Sequence, residues 1–353
     1  MISKFSSNVI LSKVRTMYSR RMSPKDYNTM LGCKTVGEIA SFLKQQSSEY
    51  SQILLSLDES DVHRGQLESL IRKKIFKDSI SICRYELSTG EHFFEYVIKR
   101  TEIEQILHTI RLLLAGRSPD LIYTMPIFFT KHTSIDFPLL TRVNSQEEFL
   151  KAIEKSDYGR ILSEFKTQLC NGDEVLTEIE TKLYSYLYDR IYKVVQKHTR
   201  GNTKEELHKI FDSYLDLFNF VNVIRMKRYY NMSTRDMKAI LLPFGTLKQK
   251  HLHAMITASD YKEAINIMKT TSIGKKLDEV NYNFVDGLPL RFIYKICNHY
   301  IRFSSNPSVV MFSYINLTRV ELSNIINIIE GVRYKVPREE ILKILILDQR
   351  KAL

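Results

Sequence analysis

The sequence predicts an all-α protein made of three related helical domains about a pseudo-threefold axis. Three observations predict it. Helix breakers are scarce, with 12 glycines and 8 prolines among 353 residues, which disfavours an all-β sandwich with its many turns. Apolar residues recur at helical spacing. An acidic residue followed three positions later by an amide returns three times, at intervals of roughly 110 residues.

The periodicity is clearest where a helix must bury one face. Ile179, Leu183, Leu187, Ile191 and Val194 fall on a single stripe. Ile103, Ile106, Leu107, Ile110, Leu113 and Leu114 form a second, and Ile325, Ile328 and Ile329 a third. Ser79 to Tyr85 alternates instead and reads as a short strand, although one strand alone has nothing to pair with.

The repeated pattern is Glu102 with Gln105, Asp216 with Asn219, and Glu321 with Asn324. Six residues beyond the amide stand Arg111 and Arg225, with Glu330 in that place in the last copy. A turn follows at Ser118-Pro119, Ser233-Thr234 and Val336-Pro337, and Arg15 with Ser23-Pro24 offers a fourth match. A Ser oxygen can accept a free N–H at a helix start, and Pro has no N–H to leave unpaired at the first helical position. Asp26, Asp120, Asp236 and Glu339 then favour the positive helix end. Each copy therefore reads as long helix, tight turn, short helix.

Further along, Ile39 and Leu43 precede Tyr50 and Leu54. Phe149 and Ile153 precede Tyr158 and Leu162, and Tyr261 and Ile265 precede Ile273 and Leu277. A unit of this size suits a small helical domain better than a solenoid repeat. The expected units are 61–170, 171–279, and a first unit completed from both chain ends, 1–60 with 280–353. Closing the first unit onto the last makes a ring; an open row of three domains is the alternative.

Lys and Arg exceed Asp and Glu by 12, and the pI is near 9.3. Such a surface can be merely solvated, or can meet nucleic acid, an anionic membrane face or an acidic protein. Cys33, Cys83, Cys170 and Cys297 lie far apart, so local spacing offers neither a zinc pair nor a CxxC. They read as small buried hydrophobes in a reducing compartment. Met1 to Ile10 has no apolar run suited to a signal peptide. No stretch nears the roughly 18–20 apolar residues of a membrane span, and a soluble, cytoplasmic protein is expected.

Motifs for catalysis are missing. There is no GxGxxG, HExxH or GxSxG, and Lys269 stands where a phosphate-binding loop ending at Gly274-Lys275 needs its first glycine. His251 and His253 diverge on a helix and cannot share a metal. No catalytic, cofactor-binding or metal-binding residue is expected. Tyr184, Tyr186, Tyr188, Tyr192, Tyr229 and Tyr230 fit packing by their spacing, with base stacking as the alternative. Glu102, Asp216 and Glu321 read as braces to neighbouring helices, because a catalytic acid is rarely needed three times. Arg15, Arg111 and Arg225 read as carbonyl contacts or salt bridges within each unit, or as a basic rim around the axis. Asn219 and Asn324 join them as repeated structural or interface positions.

These residues together resemble a known family, the C subunit of A/V-type ATPases, whose vacuolar equivalent is the d subunit. Lys13-Val14-Arg15-Thr16-Met17, Ser23-Pro24-Lys25-Asp26-Tyr27 and Leu31 match its opening helix and turn. Tyr314, Glu321, Asn324, Ile328, Gly331 and Pro337 to Ile341 match its close, and Asn219 to Pro243 with Gly245 and Leu247 its middle. The chain departs at Thr318 and Arg319, where the family carries Lys-Glu, and at Glu330, where it favours Arg. Ile127 to Arg142 looks like an insertion.

The resemblance implies a funnel of three helical domains that sits on the membrane rotor ring of proteolipid subunits and receives the central-stalk subunits. It implies a non-catalytic rotor subunit without cofactors, peripheral on the membrane, that carries torque for ion transport. No nucleic-acid partner is then expected; a basic helical nucleic-acid-binding scaffold is the alternative.

Overall fold

A computed structural model describes residues 2–46, 48–59, 62–121, 132–169, 172–230, 232–277 and 282–347. All the regular structure among them is helical. The chain divides into two compact units, Met1–Ser163 with Cys297–Leu353, and Glu164–Ile296. The first compact unit thus contains most of the two expected domains 1–60 with 280–353 and 61–170.

In chain order the first unit holds α1 (Ile2–Ser19), α2 (Pro24–Met30), α3 (Val36–Gln46), α4 (Ser48–Ser51), α5 (Arg64–Cys83) and α6 (Gly90–Leu114). There follow α7 (Phe137–Leu140), α8 (Gln146–Ile153) and α9 (Gly159–Ser163). The second unit holds α10 (Asp173–His198), α11 (Gly201–Arg225), α12 (Thr234–Ala239), α13 (Gln249–Thr257), α14 (Tyr261–Thr270) and the start of α15 (Leu288–Phe303). The chain returns to the first unit for α16 (Pro307–Arg333) and α17 (Arg338–Ile344).

Local chemistry sets several helix starts. Ser23 caps α2 through its Oγ, which accepts the Asp26 N–H, while the Asp26 carboxylate accepts the Ser23 N–H at 2.7 Å. Ser233 caps α12 in the same way through the Asp236 N–H. Ser118 differs: it lies inside a short 3-10 turn, Ser118–Asp120, and its hydroxyl donates to Asn144 Oδ1 instead. Pro337 is itself the cap of α17, with no side-chain oxygen to offer.

The strand expected at Ser79 to Tyr85 is corrected. Residues 79–83 complete α5, which His63 starts by accepting the Gly65 N–H on Nδ1. Ser79, Ile82 and Cys83 are buried at spacings of three and one along that helix, so helical packing overrides the local alternation.

The long helices are held by specific contacts. The Tyr314 hydroxyl on α16 donates to Asp78 Oδ2 on α5 at 2.7 Å. The Phe93 and Phe312 rings lie 5.0 Å apart. Arg319 donates to Glu104 at 3.3 Å, and Arg64 pairs with Glu330. Of the departures from the family pattern, Arg319 and Glu330 are therefore matched by opposite charges on α6 and α5. In the second unit Tyr184, Tyr188 and Tyr192 pack on Phe218, Phe211 and Phe244, with centroids at 5.8, 6.3 and 5.2 Å.

One core in the first unit joins the two ends of the chain. Met22, Tyr27, Met30, Ile39, Leu43 and Tyr50 pack with Leu322, Ile325, Ile328, Ile329, Ile341 and Leu345. Gly331 permits this packing: a Cβ there would lie 2.4 Å from Ile341 Cδ1.

Candidate functional site

The three repeated acids are buried, Glu102 fully, Asp216 and Glu321 nearly so. Each sits on a long helix and accepts a backbone N–H from the loop that leads into a short one. Glu321 Oε2 accepts the Met22 N–H at 2.9 Å, just ahead of α2. Glu102 Oε1 accepts the Ser134 N–H at 2.7 Å, ahead of α7. Asp216 Oδ1 accepts the Leu247 N–H at 2.9 Å, ahead of α13. The second carboxylate oxygen is also used. Tyr50 donates to Glu321 Oε1 at 2.8 Å, and Tyr158 to Glu102 Oε2 at 2.7 Å. In the third copy the shorter Asp216 takes the Thr246 hydroxyl at 2.8 Å, and Ile273 stands at the tyrosine position.

The amides clamp a second point. Asn324 donates to the Ile346 carbonyl at 2.8 Å and accepts the Ile346 N–H at 2.8 Å. Asn219 does the same with Leu242, at 2.9 and 2.8 Å. Gln105 Nε2 has no hydrogen-bond partner among the described residues.

These bonds fix the phase of the repeat. Ser23 and α2 occupy the place of α7 and α13, not that of Ser118 and Ser233, so Arg15 falls outside the repeated unit. Residues 132–142, read as part of an insertion, belong to it through Ser134 and α7; positions 127–131 lie outside the described residues. In the third copy Ala264 and Met268 take the fourth and eighth positions of α14, as Ile39 and Leu43 do in α3 and Phe149 and Ile153 in α8. Both are fully buried, whereas Tyr261 is only partly so.

The arginines do not act alike. Arg15 donates to the Ile301 and Ser304 carbonyls at 3.0 and 2.8 Å, satisfying free C=O groups at the end of α15. Arg225 pairs with Asp286 at 2.7 Å near the surface. Arg111 is exposed.

Two of the latches carry a lysine over the tyrosine ring. Lys74 Nζ lies 5.7 Å from the Tyr50 ring centre, 2.6 Å from Asp78 and 3.6 Å from Glu49. Lys99 Nζ lies 5.8 Å from the Tyr158 ring centre, 3.5 Å from Glu102, and pairs with Asp157. Burial pushes the Glu321 carboxyl up, against the pull of Lys74, the Met22 N–H and Tyr50. Burial draws the Lys74 ammonium down, but Asp78 and Glu321 more than offset it, and it rises. Buried charges of opposite sign in contact are held by each other.

Several participants have weak sequence signals. Tyr50 and Tyr158 read as apolar positions, yet their hydroxyls complete the latches. Gly245 has φ +106°, and a Cβ would lie 2.1 Å from Asp216 Oδ1. Gly159 and Gly274 follow Tyr158 and Ile273 directly, and a Cβ on either would strike a carbonyl at 2.2 or 1.8 Å. A glycine after the aromatic or Ile position in two copies is the signal that finds them.

Among the described residues no group of three or more His, Cys, Asp or Glu side chains could hold a metal ion. No helix there is long and apolar enough to cross a membrane. The latches fasten loops to long helices through buried carboxylates.

A family model described as ATP synthase (C/AC39) subunit matches residues 10–344. The chain is similar to the C subunit of the A-type ATP synthase of Pyrococcus abyssi, 22% identical over 76% of this chain and 69% of the relative. It is similar to the protein of the same name from Archaeoglobus fulgidus, 20% identical over 94% of both chains. That from Methanocaldococcus jannaschii is 27% identical over 41% of this chain and 35% of its own length. With the family model spanning nearly the whole chain, the protein belongs to the ATP synthase (C/AC39) subunit family.

Proposed function

We propose that the chain is a non-catalytic central-rotor component of an A/V-type rotary ATPase, joining the central stalk to the membrane rotor ring. The family, and relatives named as the C subunit of the A-type ATP synthase, support membership of the complex. The observation that carries the mechanical reading is the buried carboxylate latch, built three times at Glu102, Asp216 and Glu321. A reaction centre is wanted once, whereas a latch repeated in each copy stiffens each copy. Close-packed helical cores resist deformation, as a part passing torque must. The three copies are taken to close about one axis, with the first built from both chain ends.

In this reading the chain binds stalk subunits on one side and the proteolipid ring on the other, and stays on the membrane face through them. Affinity purification on a tag carried by this chain is expected to recover stalk and ring subunits together. Recovery of neither contradicts the proposal.

A further inference from the structure

We infer that the second compact unit carries a docking groove for an acidic, amphipathic segment of a partner protein. A cleft of about 600 Å³ opens between α12 and α13, with Leu242, Leu252 and Ile256 among its apolar lining and Lys238, Lys250 and His253 among its polar lining. Its volume falls in the range of sites that take a compact ligand or a few large side chains.

The groove is preformed. The Leu242 backbone is held at both its N–H and its carbonyl by Asn219, and the loop beyond it is fixed at Thr246 and Leu247 by Asp216. The Asn219 clamp therefore holds the wall of this cleft, the third latch fixes the loop beyond it, and little ordering cost remains for an occupant to meet.

The stretch of sequence that builds the cleft is strongly basic. From Lys227 to Lys276, ten Lys and Arg residues face three Asp and Glu. That net of seven is more than half of the chain's +12. The three acids are engaged in helix caps: Asp236 with Ser233, Asp260 with the Glu263 N–H, and Glu263 with Ser259. Lys238, Lys248 and Lys250 are exposed and have no ion pair among the described residues.

A cation-rimmed cleft with an apolar floor, where Leu242 and Ile256 are nearly buried and Leu252 half-buried, matches a helix that presents apolar side chains between carboxylates. A flat membrane face fits less well, because binding there needs apolar side chains that protrude, and these walls are concave. Among the described residues of 227–276 the exposed large hydrophobic side chain is Tyr229, which does not line the cleft. The assignment stands without the rotor role, since the partner's chemistry is read from the groove itself.

The test titrates the full chain with a labelled helical peptide carrying Leu at i, i+3, i+4 and i+7 and Glu on both flanks, followed by fluorescence anisotropy. Binding about tenfold or more tighter than that of a Lys-flanked counterpart is expected, weakening as salt rises. The variant K238E/K250E should lose about tenfold in affinity or more, and Leu252→Ser a smaller factor. K193E/K197E, a reversal of equal charge on exposed positions of α10, should leave it unchanged. Circular dichroism of each variant confirms that the fold is kept. No binding by the natural chain, equal binding of both peptides, or affinity unaltered in K238E/K250E overturns the proposal. So does binding to phosphatidylserine vesicles that depends on Lys238 and Lys250 and that the peptide fails to displace.

Discussion

Glu321 shows how much a single buried side chain can hold. Replacing it with Ala leaves the Met22 N–H and the Tyr50 hydroxyl without an acceptor and removes a negative charge near Lys74. Each orphaned group costs about 1–3 kcal/mol, so Glu321→Ala should lower unfolding stability by about 3–5 kcal/mol in urea titration. Tyr158→Phe, which removes one donor from Glu102, should cost about 1–2 kcal/mol. His108 gives a pH signature. Burial, followed by the charges of Arg72, Arg111 and Arg64, lowers its pKa to about 4. The unfolded chain binds this proton near pH 6.5 and the folded chain only near 4. His108 thus contributes stability that is full above pH 6.5 and lost as pH falls toward 4. Glu321 runs the opposite way: its folded pKa is raised, so its contribution is full below 4.5 and lost as pH rises through the folded value. Proton NMR of the His108 imidazole should show a midpoint near 4; the absence of any such midpoint would contradict its burial. Burial also pushes the Cys83 and Cys297 thiols up to about 12. Neither should react with a thiol reagent in the folded chain at neutral pH.

At the scale of elements, the latches and clamps decide where loops go. Asn219→Ala leaves both polar groups of Leu242 unpaired and should cost about 2–4 kcal/mol. Gly245→Ala meets both a left-handed φ and the Asp216 carboxylate, and should cost about 1–3 kcal/mol by the strain alone. Which parts the residues announce follows from how local their physics is. The helix type, the α2 and α12 caps and the acid–amide pairs are legible because each depends on a few neighbouring residues. The start of the Ser118 turn is not, because Asn144, far along the chain, takes its hydroxyl. The register of the third copy is hidden for another reason: Ala264 is small, and the apolar Tyr261 and Ile265 beside it imitate the pattern. The roles of the Tyr50 and Tyr158 hydroxyls are equally hidden, because sequence spacing marks the buried ring and not the direction of its polar tip.

At the scale of the whole molecule, the first core is made from both chain ends, so its stability depends on residues more than 300 positions apart. Deleting residues 338–353 removes Ile341, Leu345 and the Ile346 backbone that Asn324 clamps. Hydrogen exchange should then rise in α2, α3 and α16 while α11 and α14 keep their protection, because those belong to the other compact unit. Equal loss in both units would contradict this division. The central claim is that the protein couples and does not catalyse. Its most direct test is a membrane-bound rotary ATPase reconstituted with and without this chain, followed for ATP hydrolysis and ion pumping. Without the chain, hydrolysis by the catalytic head should continue and pumping should stop, and adding the chain back should restore it. Pumping that persists in its absence, or hydrolysis that disappears with it from the detached head, would contradict the account.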